Sequence, residues 1–190
     1  VLMPEDDPRQ FEGKTQLLAR QGLSIISDID DTIKISNVLD KQELLANTFL
    51  REFRPVPGMA RLYQKWASAG AAFHYLSSSP WQLYPSLLEF IDRQGFPSGS
   101  FHLNTFRVKD KSFFNLFQSS QITKPPRIEA VLNRYPQRSF ILIGDSGEKD
   151  PEIYGTMARR YPRQIEHILI RNVQPDQVLI GGSVLPALRN

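Results

Sequence analysis

Hydrophobic and polar positions alternate along this chain in two rhythms. Short apolar runs recur at Leu23-Ser24-Ile25-Ile26-Ser27, Ala71-Ala72-Phe73-His74-Tyr75-Leu76, Phe140-Ile141-Leu142-Ile143 and over 165–173. Each is too short for a helix and fits a buried strand. Between them the apolar spacing is three to four. Met59, Leu62, Tyr63 and Trp66 predict a helix over 59–69 that stops at Gly70, with Pro57 near its first turn. A second amphipathic stretch covers 81–93 and stops at Gln94-Gly95. Pro125-Pro126 precede a third, to about 135, with Ile128, Val131 and Leu132 on one face, and a fourth is expected over 151–160. A short strand is expected over 100–103, and helical character over 41–53 is broken by Pro55-Val56-Pro57-Gly58; residues 104–124 fit neither period. Strands alternating with helices predict an α/β fold with a doubly wound parallel sheet. Right-handed crossovers would gather the carboxyl ends of its strands on one edge.

That edge would carry an unusual density of oxygen-bearing side chains. The first run leads into Asp28-Ile29-Asp30-Asp31-Thr32, the second into Ser77-Ser78-Ser79-Pro80, and the third into Gly144-Asp145-Ser146-Gly147-Glu148-Lys149-Asp150. In an extended strand Asp28 and Asp30 share a face. Two buried carboxylates on one face repel and are costly to desolvate, so a counter-ion is expected. A hard divalent ion such as Mg²⁺ takes oxygen ligands of this kind. Singly, each residue has a plainer reading: Asp30 or Thr32 as a helix cap, Asp145 as a turn residue, Asp150 as a cap before Pro151. Their convergence favours chemistry. Asp28 is the candidate nucleophile toward phosphorus and Asp30, two residues on, the acid/base. Asp28, Asp30, Asp145 and Asp150 are the candidate metal-associated carboxylates, and Ser77 is a hydroxyl for the phosphoryl oxygens. A cation is needed too, and Lys124, just ahead of the helix leading to the acidic strand, is preferred to Lys109, Lys111 or Arg127.

Composition narrows the classes. A chain of 190 residues with 41% hydrophobic content is enough for one domain with a real core. It has no cysteine, which excludes disulfides, thiolate catalysis and cysteine-ligated metals. His74, His102 and His167 sit beside apolar residues without ligand spacing and read as structural. The formal charge of +3 suits an anionic substrate but lacks the concentrated basic face of a nucleic-acid binder. No apolar run approaches the roughly 20 residues that cross a bilayer.

In order, the Asp28–Thr32 motif, the strand ending in Ser77, a later lysine and Gly144-Asp145 with Asp150 resemble the four motifs of the haloacid dehalogenase superfamily. The strings His74-Tyr75-Leu76-Ser77-Ser78-Ser79-Pro80-Trp81 and Gly144-Asp145-Ser146-Gly147-Glu148-Lys149-Asp150 are similar to the catalytic domain of actin-patch phosphatidate phosphatases, relatives of the lipins. The resemblance runs over about 23–173. It implies a Rossmann-like core with small cap insertions and Mg²⁺-dependent hydrolysis of a phosphomonoester through an aspartyl-phosphate. Phosphatidic acid is the leading implied substrate. Asp28 would be nucleophile, Asp30 acid/base and, through its carbonyl, a metal contact; Ser77 and Lys124 would hold phosphate. Asp31, where lipins carry Gly, is expected to point away from the ion. Residues 1–20 are read as a lead-in or the tail of a missing preceding domain, and 21–190 as the phosphatase domain.

The segment Phe106-Arg107-Val108-Lys109-Asp110-Lys111-Ser112-Phe113-Phe114-Asn115-Leu116-Phe117 interleaves basic and aromatic residues. It reads as a packed cap or as a peripheral membrane contact through Phe113 and Phe114; residues 36–54 are the other candidate cover. The rival classes are a phosphatase for a soluble substrate, a silent lipid-binding module, and a phospho-receiver. The receiver would need a lysine on the last strand, and His167-Ile168-Leu169-Ile170-Arg171 has none.

Overall fold

The computed structural model describes residues 15–36, 52–105 and 120–173. Five parallel strands form one sheet in the order β3-β2-β1-β4-β5: β1 (Gly22–Asp28), β2 (Ala72–Pro80), β3 (Ser100–Asn104), β4 (Arg138–Asp145) and β5 (Ile165–Arg171). Between them run helices α1 (Met59–Ser68), α2 (Tyr84–Arg93, after a 3₁₀ turn at Trp81–Leu83), α3 (Ser120–Arg134) and α4 (Asp150–Arg160). This is the expected doubly wound α/β architecture. The expected cap insertions, residues 41–51 of the expected helical stretch 41–53, and Lys109, Lys111, Phe113 and Phe114 lie outside the described residues, while Glu52 and Phe53 at the end of that stretch are not helical.

The strand period of two sorts the core onto two faces. Ile25, Phe73, Tyr75, Ile141 and Ile143 pack with Tyr63 of α1 and Leu87, Phe90 and Ile91 of α2. Ile26, Leu76, Phe140 and Leu142 pack with Ile128, Val131 and Leu132 of α3 and Ile153, Tyr154 and Met157 of α4. Both faces are covered, which is why the central strands read as nearly continuous apolar runs. The Arg138 guanidinium closes the opposite end of the sheet. It donates to the carbonyls of Ala19 (2.7 Å), Gln21 (2.9 Å) and Leu23 and to Ser24 Oγ (2.8 Å), tying the approach to β1 onto β4.

Two elements differ from their sequence-based bounds. β2 continues through Ser77–Ser79 to Pro80, where a bulge lets Pro80 register against Asn104. α3 begins at Ser120, ahead of Pro125 and Pro126, so Lys124 is helical rather than a loop residue. Pro125 and Pro126 lie inside the helix and remove the donors that would reach the carbonyls of Gln121 and Ile122, so its second turn forgoes two hydrogen bonds.

His74 is buried at the start of β2, where its Nδ1 is 2.7 Å from Ser100 Oγ; His102 Nε2 is 2.9 Å from the same hydroxyl. Burial, with the charges of His102 and Arg138, lowers the His74 pKa to about 4. Unfolded, the ring titrates near 6.5, so between those values the unfolded chain binds the extra proton. Stability should therefore fall as pH drops through about 6.5 and level off below about 4, losing up to about 3 kcal/mol to this ring. Urea unfolding at pH 7.5 and 5 checks this: His74→Gln should flatten the difference.

Candidate active site

β1 ends at Asp28, and the chain then closes a tight turn. The amides of Ile33 and Lys34 both donate to the Ile29 carbonyl at 3.0 Å. Asp31 takes a left-handed backbone, φ 55°, which Asp and Asn tolerate better than most residues and Gly adopts freely. That is a physical reason for Asp and Gly to be interchangeable there. Its Oδ1 accepts from the Ser36 amide (2.8 Å) and its carbonyl from Arg171 at the end of β5. The Asp31 carboxylate is thus engaged with the turn itself.

Asp28 lies on the α3/α4 face. Its Oδ1 is 2.8 Å from Lys124 Nζ, and its Oδ2 accepts from Thr32 Oγ1 at 3.2 Å. Lys124, fully buried, is also 2.5 Å from Asp150 Oδ1 and 3.0 Å from Glu148 Oε2. Three acids from two loops thereby surround one ammonium. Burial pulls the lysine pKa down, but Asp28, Asp150 and Glu148 outweigh it and hold the pKa well above the ordinary value. Asp28 is pushed well above the carboxylate range by burial; attraction to Lys124 is opposed by repulsion from Asp150, Asp145 and Glu148.

Asp145, at the end of β4, accepts the amides of Gly147 (2.6 Å) and Glu148 (3.1 Å) on Oδ1, while its buried Oδ2 has no hydrogen-bond partner. Burial, followed by the charge of Asp150, raises its pKa to about 7. Asp150 starts α4 and returns toward Gly144. A Cβ on Gly144 would sit 2.7 Å from Asp150 Cβ and 2.8 Å from its Cγ, so only glycine permits the approach. Gly144→Ala should therefore displace Asp150 from Lys124. A loss of about 1–3 kcal/mol in chemical denaturation is expected, with activity falling alongside.

Asp30 occupies a separate network. Lys34 Nζ is 2.7 Å from its Oδ1, Ser36 Oγ donates to the same oxygen at 2.7 Å, and Ser77 Oγ donates to Oδ2 at 2.9 Å. Burial raises the Asp30 pKa, but Lys34, Ser36 and Ser77 together bring it below the ordinary value. Asp28 and Asp30 are both at the sheet edge, yet each already has its own buried lysine. The counter-charge expected from the sequence is supplied in part by Lys124 and Lys34.

Among the described residues, the carboxylates whose oxygens come within 4.8 Å of one another are Asp28, Glu148 and Asp150. Asp30 and Asp145 are not in that group. Glu148 is the residue that sequence reasoning passed over; its signal was its place between Asp145 and Asp150 in one tight loop. Three carboxylates surround one lysine, and Asp145, whose buried Oδ2 has no partner, is close enough to feel the charge of Asp150. An all-oxygen, over-negative set of this kind fits a hard divalent cation.

The family described as "Phosphatidate phosphatase APP1, catalytic domain" matches residues 23–172. This chain belongs to that family. The matched span contains the whole sheet from Leu23 onward and every acid described above. Phosphatidate phosphatase APP1 of Saccharomyces cerevisiae is 36% identical over 169 residues, covering 87% of this chain and 28% of the yeast protein. An uncharacterised protein of Schizosaccharomyces pombe is 31% identical over 172 residues, covering 88% of this chain and 28% of its own length. This chain thus spans little more than a quarter of either relative. A solved structure titled "Structure of Pnkp1/Rnl/Hen1 complex" shares the fold, with a TM-score of 0.55 at 13% identity over 90% of this chain and 52% of the other.

Proposed function

We propose that this chain is a Mg²⁺-dependent phosphomonoester hydrolase that works through an aspartyl-phosphate on Asp28, with phosphatidic acid as its substrate. The observation that carries this reading is the buried Asp28 carboxylate at the end of β1, held against Lys124 beside Glu148 and Asp150, in a chain of the APP1 family. Asp28 attacks phosphorus and the bond to the leaving alcohol breaks, giving diacylglycerol and an acyl phosphate. Water then attacks phosphorus and restores the carboxylate. Asp30 faces the hydroxyl of Ser77 and, held ionised by Lys34, is ready to take the water's proton. The proton for the leaving oxygen in the first step enters with the substrate monoanion. Mg²⁺, held by Asp28, Glu148 and Asp150, with Asp145 and Asp30 as further candidates, would neutralise charge on nucleophile and phosphoryl group.

The lipid is read from the family, since the acids recognise a phosphoryl group and not what carries it. A peripheral membrane contact through the basic and aromatic segment 106–117 belongs to the same reading. Phosphate release from phosphatidate in mixed micelles, beside a panel of soluble phosphomonoesters, with Mg²⁺ and with a chelator, is the test. Release from phosphatidate that stops on chelation is expected. Release from soluble esters alone would leave the mechanism and reject the lipid; no release from any ester would reject both.

A further inference from the structure

Two large apolar side chains stand in water at the carboxyl edge of the sheet, and they come from opposite faces of it. Trp81 follows directly on Ser77-Ser78-Ser79-Pro80, in the turn that leads from β2 into α2, and is 45% exposed. Ile122, in the opening turn of α3 and two residues ahead of Lys124, is 70% exposed. A single exposed apolar residue calls for no explanation. Two that flank the same edge, one beside Ser77 and the other beside Lys124, do. Leu17, also exposed, precedes the segment that Arg138 holds at the opposite end of the sheet. The indole is firmly presented. Its ring centroid is 5.7 Å from Tyr84, Tyr84 meets Phe101 edge-on at 5.2 Å, and Phe101 lies 5.4 Å from the buried Tyr75. A chain of aromatic contacts thus runs from the core to a ring half in water, and an indole has an apolar body with a polar N–H that suits a membrane interface.

Resting on the phosphatidate reading above, we propose that Trp81 and Ile122 form a docking rim that enters the headgroup region of a phosphatidate-bearing bilayer. Phosphatidate has no spacer: its phosphate is joined directly to the glycerol that carries both acyl chains. Asp28 is 2% exposed. A phosphate can therefore reach it, with the chains still in the bilayer, only if the sheet edge is pressed against the lipid surface. Whatever rims that edge must enter the interface, where an indole and a branched alkyl group gain by leaving water. The formal charge of +3 adds attraction to anionic lipid. A partner protein could cover the same side chains, but a bilayer accounts for their place at the entrance to the site.

The test uses the whole chain with vesicles of phosphatidylcholine and phosphatidate, a chelator being present in the binding experiments so that the lipid is not consumed. The chain has two tryptophans, and Trp66 is half-buried against Tyr63, with ring centroids 5.7 Å apart. Trp66→Phe therefore leaves Trp81 as the reporter. Its emission should shift to the blue when vesicles are added and should be quenched by lipids brominated on the upper acyl chain. Trp81→Ser combined with Ile122→Ser should weaken vesicle binding and raise KM for phosphatidate by about tenfold or more, the scale of withdrawing large apolar side chains from a buried position. The kcat at saturating phosphatidate should hold. Ile122→Ser alone, at an exposed position, should lose part of the same affinity and covers the case in which the double variant fails to fold. Vesicle binding without any change at Trp81, no vesicle binding at all, or a loss confined to kcat overturns the proposal. If vesicles move Trp81 but no phosphomonoester is hydrolysed, the functional reading fails and the docking rim stands. Soluble esters hydrolysed with Trp81 indifferent to vesicles would give the reverse.

Discussion

Replacing Asp28 by Asn should reduce phosphate release by at least about a thousandfold, because the nucleophile is removed and its shape kept. The same substitution should not weaken the fold. Asp28 is buried beside Asp150, Asp145 and Glu148, and with one lysine to share among them its carboxylate is held well above its ordinary pKa. Raised in this way, it costs stability at neutral pH, because the folded chain ionises it less readily than the unfolded chain does. An amide at position 28 relieves that repulsion while leaving Lys124 paired with Glu148 and Asp150. The thermal midpoint of Asp28→Asn should therefore equal or exceed that of the wild type. Phosphate release assayed beside a thermal scan reads both quantities. Lost activity with lost stability would mean that Asp28 is a structural acid, held in place by Thr32 and Lys124 for the sake of the fold.

Lys124→Met should have the opposite balance, with stability as the first casualty. The ammonium is fully buried and carries the charge that three acids share. Removing it leaves those acids facing one another without a counter-charge, which typically costs about 3–5 kcal/mol for a broken buried pair. Methionine keeps most of the volume, so packing against α4 should survive and the loss should be electrostatic. Two signatures follow. Chemical denaturation should show a lower midpoint with an unchanged slope, and the loss should shrink at lower pH, where the carboxylates take up protons in place of the missing cation. Mg²⁺ should restore part of the lost stability, because a second cation can answer the same acids. A Lys124→Met protein as stable as the wild type would show that the acids are not coupled through this lysine.

The sheet was legible because its physics is local. Buried parallel strands need apolar runs on both faces, and the runs beginning at Leu23, Ala71, Phe140 and Ile165 announced four strands and their order of alternation with helices. Asp28, Ser77, Asp145 and Asp150 were legible as a group because each follows such a run, and parallel topology gathers strand ends. What failed was local in a different way. The prolines at 125 and 126 read as a helix boundary, yet the helix begins at Ser120 and carries both inside it despite the two hydrogen bonds they remove. Asp28 and Asp30 read as two acids sharing one ion because a strand was extended past its end. The chain turns after Asp28, and Asp30 meets Lys34, Ser36 and Ser77 instead. Lys34, four residues after Asp30, could be found only once that turn was known. Glu148 was hidden for a plainer reason. A glutamate in a polar loop is usually a solvated surface charge, and its place between Asp145 and Asp150 was the one sign that it turns toward Lys124.

The central claim is that Asp28 carries the phosphoryl group, and trapping that bond tests it most directly. Borohydride added during turnover of phosphatidate reduces an acyl phosphate to the alcohol, so Asp28 should be recovered as homoserine by peptide mass spectrometry. The change should require both substrate and Mg²⁺. Conversion of a different carboxylate, or continued turnover with Asp28 unmodified under conditions that trap acyl phosphates, would contradict the account.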